Sequence, residues 1–226
     1  MGGNWWFPNT NSLDGLPDFQ FETIPDGLPA SDEDAGQNSY LLCDSIRKKF
    51  LAVFRNLLLK LNDTATSNNI SNPPVTCIVS DGFMTFSITA AEELEIPVAL
   101  FFTLLQLDSW AVIDWVPKTK AIRLKDLPKS FQTTNPNDIL FKLALEAMDR
   151  VDKASAVVLR TFDELEADVL HALSSMPPPA YTIGPLQLLL NQIPQHPLKS
   201  MGYSLWKEET ECLQWFNAKA PNSVVL

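Results

Sequence analysis

Asp81 is the residue in this 226-residue chain whose setting most suggests chemistry. It follows Val75 to Val79, an apolar run that reads as a buried strand, and it precedes Gly82 and a helical pattern around Thr85 to Leu94. Open α/β sheets place ligands and catalytic groups in the crevice at the carboxyl ends of their strands, so a carboxylate at that point can bind, orient or hold a proton. Ser80-Asp81-Gly82 is also a good turn, and a capping or turn aspartate is the structural alternative. The only imidazoles are His171 and His196. The first falls near the end of a helical pattern and the second in a Gln-Ile-Pro-Gln-His-Pro linker, and neither position suits a base. No Gly-x-Ser-x-Gly elbow, Gly-x-Gly-x-x-Gly turn or Walker-type loop occurs, and no cluster of His, Cys, Asp and Glu has the spacing of a metal site. Phe83, Phe86, Phe101, Phe102, Trp110 and Trp115 make the region after Asp81 rich in aromatic rings. They can line a pocket for an apolar molecule or simply fill the core, and for Phe101 and Phe102 core is the better reading.

The elements that must position these residues alternate. Residues 1–18 lack periodicity, whereas Phe19 to Ile24 alternates as a half-buried strand would. Ile46, Phe50, Phe54, Leu57, Leu58 and Leu61 recur at helical spacing and predict a helix over Ser39 to Leu61. Strand Val75 to Val79, helix Thr85 to Leu94 and strand Val98 to Phe102 then form a βαβ unit. A helix over Ile139 to Val151, capped by Asn137 or Asp138, leads to a strand at Ala156 to Leu159, a helix at Phe162 to Leu173 and a short strand at Tyr181 to Ile183. A Pro-rich linker, a helix at Leu205 to Phe216 and a strand at Ser223 to Leu226 close the chain. The alternation argues for a Rossmann-like parallel α/β sheet. It divides as an irregular segment 1–18, a Rossmann-like body 19–190 and a linker helix with one further strand at 191–226.

Composition narrows the function. With 46% hydrophobic residues the chain can bury a sizeable core. A net charge of -10, from 17 basic and 27 acidic residues, argues against a nucleic-acid partner. Cys43, Cys77 and Cys212 are far apart and odd in number, which reads as reduced thiols in a cytoplasmic protein. The start of the chain lacks the basic and apolar regions of a signal peptide, and the apolar run Ile96 to Leu107 is too short to cross a bilayer, so no membrane insertion is expected.

Several segments together resemble the plant family-1 UDP-glycosyltransferases, in the branch that holds cyanohydrin and 7-deoxyloganetin glucosyltransferases. They are Asn11 to Asp18 with Phe21 to Pro29, Val75 to Gly82, Ala90 to Leu94, Ile122 to Pro128, Tyr181 to Leu186, and Glu211 to Trp215 running on to Val225. The resemblance implies a GT-B arrangement, in which an N-terminal Rossmann-like domain holds the sugar acceptor and a C-terminal one holds the UDP-sugar. It also implies transfer of glucose from UDP-glucose, as co-substrate and with no cofactor, to a hydroxyl of a small apolar plant metabolite. In such enzymes a histidine after the first strand deprotonates the acceptor and an aspartate hydrogen-bonds that histidine. Asp81 matches the aspartate, Thr103 matches a threonine that touches the transferred sugar, and Phe83, Trp110 and Trp115 are candidates for the acceptor pocket.

Three departures from the family pattern shape the expectation. Nothing before Asn11 corresponds to the first strand, the first helix or the base histidine. The stretch after Thr103 is shortened, and the sequence stops at the first strand of the donor domain. The reading is therefore the N-terminal half of a GT-B fold with its first strands missing: a glucosyltransferase by descent, inactive as an isolated chain and able to use UDP-sugar only if a donor domain is supplied. The alternatives are a non-catalytic binding or interaction module and an incomplete gene model. Loss of the first strand leaves three outcomes for the sheet. Either Phe19 to Ile24 pairs with Val75 to Val79, or the domain is unstable, or it needs a partner.

Overall fold

The computed structural model describes residues 19–29, 38–66, 73–103, 133, 135–194, 210–220 and 223. Two compact units are present: Ile24–Ile193, and Met1–Thr23 together with Pro194–Leu226. In the second, α6 (Thr210–Asn217) is the described helix.

The first unit begins with α1 (Ser39–Thr66). Asn38 caps it, its side-chain oxygen accepting from Tyr40 N–H at 3.0 Å and Leu41 N–H at 3.3 Å. The helix runs five residues past the expected Leu61, because Asn62 to Thr66 contains neither Gly nor Pro to stop it. The chain continues through β1 (Ile78–Asp81), α2 (Phe86–Leu94), β2 (Val98–Phe102), α3 (Ile139–Arg150), a short 3₁₀ turn, β3 (Ala156–Leu159), α4 (Asp163–Leu173), β4 (Ala180–Thr182) and α5 (Leu186–Gln192). The expected βαβ unit is therefore present, and β2 and β3 have the bounds read from the sequence.

Three expectations are corrected. Phe19 to Ile24 is not a strand: Phe19 makes an isolated bridge and the residues to Pro29 are irregular. Alternation alone did not suffice there, and Asp26 folds the chain back by accepting from Leu28 N–H at 2.9 Å. β1 begins at Ile78 rather than Val75, since Val75 N–H is held by Asn62 Oδ1 at 2.8 Å rather than by a neighbouring strand. The supposed linker after Pro185 holds α5, whose Leu186 to Leu190 run has strong helix formers. The expected strand from Ser223 lies outside the described residues apart from Ser223 itself.

All strand pairs are parallel, in the order β1-β2-β3-β4. Sequential order combined with right-handed crossovers puts the described connecting helices α2, α3 and α4 on one face of the sheet. The burial agrees: Ile78, Val98, Leu100, Phe102, Val157 and Leu159 share that face by register and form one core with Leu58 of α1 and Ile88, Ala90 and Ala91 of α2. A second cluster joins Cys43 and Ile46 of α1 to Leu143 of α3. On the other face Val79 is 70% and Tyr181 59% exposed, with Phe101 and Val158 half-buried between them.

Candidate functional site at the carboxyl edge of the sheet

Asp81 is the last residue of β1 and lies in register with Phe101 of β2. Its Oδ1 accepts from Phe83 N–H at 2.9 Å and its C=O from Met84 N–H at 3.0 Å, which turns the chain at once toward α2. Among the described residues no imidazole meets this carboxylate. The turn is tight because Gly82 passes under the ring of Phe102; a Cβ on Gly82 would sit 2.1 Å from Phe102 Cε1.

Thr103 follows β2 and is exposed. It stands two residues beyond the register partner of Asp81, so parallel pairing brings both to the same edge of the sheet. Phe83 packs edge-on against Phe102, with ring centroids 5.9 Å apart, and touches both core clusters. It supports the Asp81 turn from beneath. Trp110 and Trp115 lie outside the described residues. His171 is exposed in the last turn of α4, and a helix that leaves β3 at the carboxyl edge and returns to the start of β4 ends at the opposite edge. His196 lies outside the described residues.

Thr161 was not singled out by the sequence. It follows β3 at the same edge, its hydroxyl is buried and has no hydrogen-bond partner, and a Cβ on Gly184 would be 3.0 Å from its carbonyl oxygen. No local pattern marks a buried hydroxyl, which depends on how the ends of β3 and β4 close on each other. Chemically, then, the β1–β2 end of the edge offers the Asp81 carboxylate and the Thr103 hydroxyl, with no imidazole beside them among the described residues, while at the β3–β4 end the Asp163 carboxylate accepts from Thr182 Oγ1 at 2.6 Å. Among the described residues no group of three His, Cys, Asp or Glu could hold a metal, and no helix is long and apolar enough to cross a membrane.

Comparison with known proteins gives a consistent picture. The chain is 46% identical to the 7-deoxyloganetin glucosyltransferase of Catharanthus roseus, over 96% of its own length and 50% of the relative's. The (R)-mandelonitrile beta-glucosyltransferase of Prunus dulcis is likewise 46% identical, with the same coverage. The chain thus spans about half the length of the curated relatives it matches. The C. roseus alignment extends over 244 positions while using 96% of 226 residues, so the relative carries residues between matched segments that this chain lacks. No family model matches. Among solved structures, Os79 from O. sativa in complex with UDP superposes with a TM-score of 0.64 at 18% identity, covering 93% of this chain and 50% of that one. A UDP-glucosyltransferase from Polygonum tinctorium, capable of glucosylating indoxyl, gives 0.58 at 21% identity, with 97% and 49% covered.

Proposed function

The chain belongs to the plant UDP-glycosyltransferases, and on that premise we propose that its sheet is the acceptor-binding half of an enzyme moving glucose from UDP-glucose to a hydroxyl of a small apolar metabolite. The observation that carries this reading is that Asp81 and Thr103 stand at the same carboxyl edge, at the ends of adjacent parallel strands. In the reaction a base removes the acceptor proton, the acceptor oxygen bonds to the anomeric carbon and the bond to UDP breaks with its electron pair leaving on the diphosphate. Asp81 serves as the carboxylate that orients and balances an imidazole base, Thr103 as a contact to the transferred sugar, and Phe83, Trp110 and Trp115 as acceptor-pocket residues.

The residues of this chain supply the acceptor side. No imidazole meets Asp81 among the described residues, so the part of the reaction assigned to them is holding the acceptor and orienting a base. UDP-sugar is engaged once a donor-binding half is supplied. Three free cysteines, two of them exposed, favour a cytoplasmic setting.

Incubating the purified chain with UDP-glucose and a panel of small alcohols and phenols, followed by mass spectrometry, tests the reading beside a fluorescence titration of the same panel. Saturable binding without a glucosylated product is expected. Product that disappears in Asp81→Asn would show that another base has been recruited, and an absence of saturable binding would sink the acceptor role.

A further inference from the structure

α2 opens without a cap of its own. Thr85, the residue before it, makes no side-chain bond to the first turn, and the Ser87 hydroxyl donates back to Met84 C=O at 2.8 Å. A polar hold on this start comes from another helix. Arg150, the last residue of α3, donates through one nitrogen, Nη1, to Thr89 Oγ1 at 2.7 Å and to Thr85 C=O at 3.2 Å. Its other terminal nitrogen reaches Glu92 Oε2 at 3.3 Å. That third contact is long and Glu92 is half-exposed, and such surface ion pairs contribute little. The bonds to Thr89 and Thr85 are what fix the guanidinium, whose flat fork meets two acceptors one helical turn apart.

The start of α2 carries the Asp81 turn. Phe83 N–H fixes Asp81 Oδ1 at 2.9 Å and Met84 N–H fixes its carbonyl at 3.0 Å, while Met84 C=O in turn takes Ser87 N–H at 2.9 Å. On the apolar side Phe83, Met84 and Phe86 pack against Cys43, Ile46 and Leu143. Apolar packing is non-directional and tolerates a small slide of the segment, whereas a hydrogen bond weakens with misalignment. We propose that Arg150 is a positioning residue for Asp81. By pinning Thr85 and Thr89 it keeps the Phe83 N–H where that group orients the carboxylate, so Oδ1 is committed to the backbone and Oδ2 is presented to the base. Oδ2 has no partner among the described residues. The inference rests on the reading of Asp81 as the carboxylate that orients the base. Arg47 supplies the contrast: it joins α1 to α3 through Glu146, an interhelical ion pair of the same kind that touches neither Thr85 nor the Asp81 turn.

Carboxyl-carbon and amide NMR of the isotope-labelled full chain is the test, because it reads Asp81 directly and needs neither acceptor nor UDP-sugar. Arg150→Met keeps the apolar stem, and Thr89→Val removes the same bond from the other side. In both, the Asp81 carboxyl signal should move and the Phe83 amide should exchange with solvent roughly tenfold faster. The Leu100 amide, in the core of β2, should keep its unmutated rate, since a loss of overall stability would speed both amides equally. Arg150→Lys, which retains a cationic donor, should restore part of the Asp81 shift, and Arg47→Met should leave the signal in place. An Asp81 signal and a Phe83 amide unchanged in both Arg150→Met and Thr89→Val overturn the proposal. So does a Leu100 amide that speeds up in step with Phe83, or an Arg47→Met effect as large as that of Arg150→Met, because Arg150 would then do no more than hold helices together. A moved Asp81 signal in a chain that binds no acceptor supports the positioning role and counts against the acceptor reading instead.

Discussion

Gly82 and Thr161 bracket what single residues do at the carboxyl edge. Phe102, whose ring lies 2.1 Å from where a Cβ on Gly82 would be, is buried and held edge-on by Phe83, so it has little room to retreat. Gly82→Ala should therefore cost about 1–3 kcal/mol in a urea titration through overpacking. A midpoint equal to that of the unmutated chain would show that the ring gives way freely. Thr161→Val has the opposite sign. Its buried hydroxyl has no partner, and trading it for a methyl removes an uncompensated polar group, so a gain of about 1 kcal/mol is expected and a loss would reveal a hidden hydrogen bond. Cys43 differs from Cys77 and Cys212 because burial, with the nearby Asp138 carboxylate adding to it, pushes its thiol above the ordinary range. Less thiolate means slower reaction, so an Ellman titration near pH 8 should show two fast thiols and one slow. Asp81 was legible in the sequence because strand, turn and glycine are all local signals. Thr161 was not, because its burial depends on the closure of two distant strand ends.

At the scale of elements, α3 shows how far local signals reach. Its cap was narrowed by sequence to Asn137 or Asp138, and the structure selects Asp138, whose carboxylate accepts from Leu140 N–H at 2.9 Å and Phe141 N–H at 3.1 Å. Asp138→Ala should cost about 1 kcal/mol by thermal or chemical denaturation, while Asn137→Ala should be close to neutral. Arg55 of α1 and Glu93 of α2 pair across their helices, Nε to Oε2 at 2.6 Å, and that hydrogen bond holds the Glu93 carboxyl below its usual range. A depressed folded value means that the pair contributes above the ordinary glutamate pKa and is lost as pH falls through the folded one. Such a pair on the surface is a small part of acid stability. Strands and helices with strong local patterns were readable. α5 and the start of β1 were not: the first hid behind Gly184-Pro185, which resembles a linker, and the second depends on where β2 offers partners.

For the whole molecule, what decides stability among the described residues is the packing of α1 and α2 on one face of the sheet. Leu58 of α1, Ile88, Ala90 and Ala91 of α2 and the inward residues of the strands form one continuous cluster, so α1, α2 and the sheet lose their support together. Rossmann-like winding could be read from the alternation of strand and helix; the gathering of α1 and α2 on one face could not, since it depends on strand order and crossover hand rather than on any local segment. Leu100 sits at the centre of β2, fully buried, with strands on both sides. Its neighbours belong to several elements and cannot collapse into the space it leaves, so Leu100→Ala should lower the stability of the Ile24–Ile193 unit by about 2–5 kcal/mol. Leu188 of α5, 58% exposed, removes little from water, and Leu188→Ala should stay within about 0.5 kcal/mol of the unmutated chain. Paired urea titrations, followed by circular dichroism and by tryptophan fluorescence, separate the two cases. If the core is one cooperative body, Leu100→Ala shifts both signals together; a small effect of Leu100→Ala, or a large one of Leu188→Ala, would mean that the support of the sheet lies on its other face.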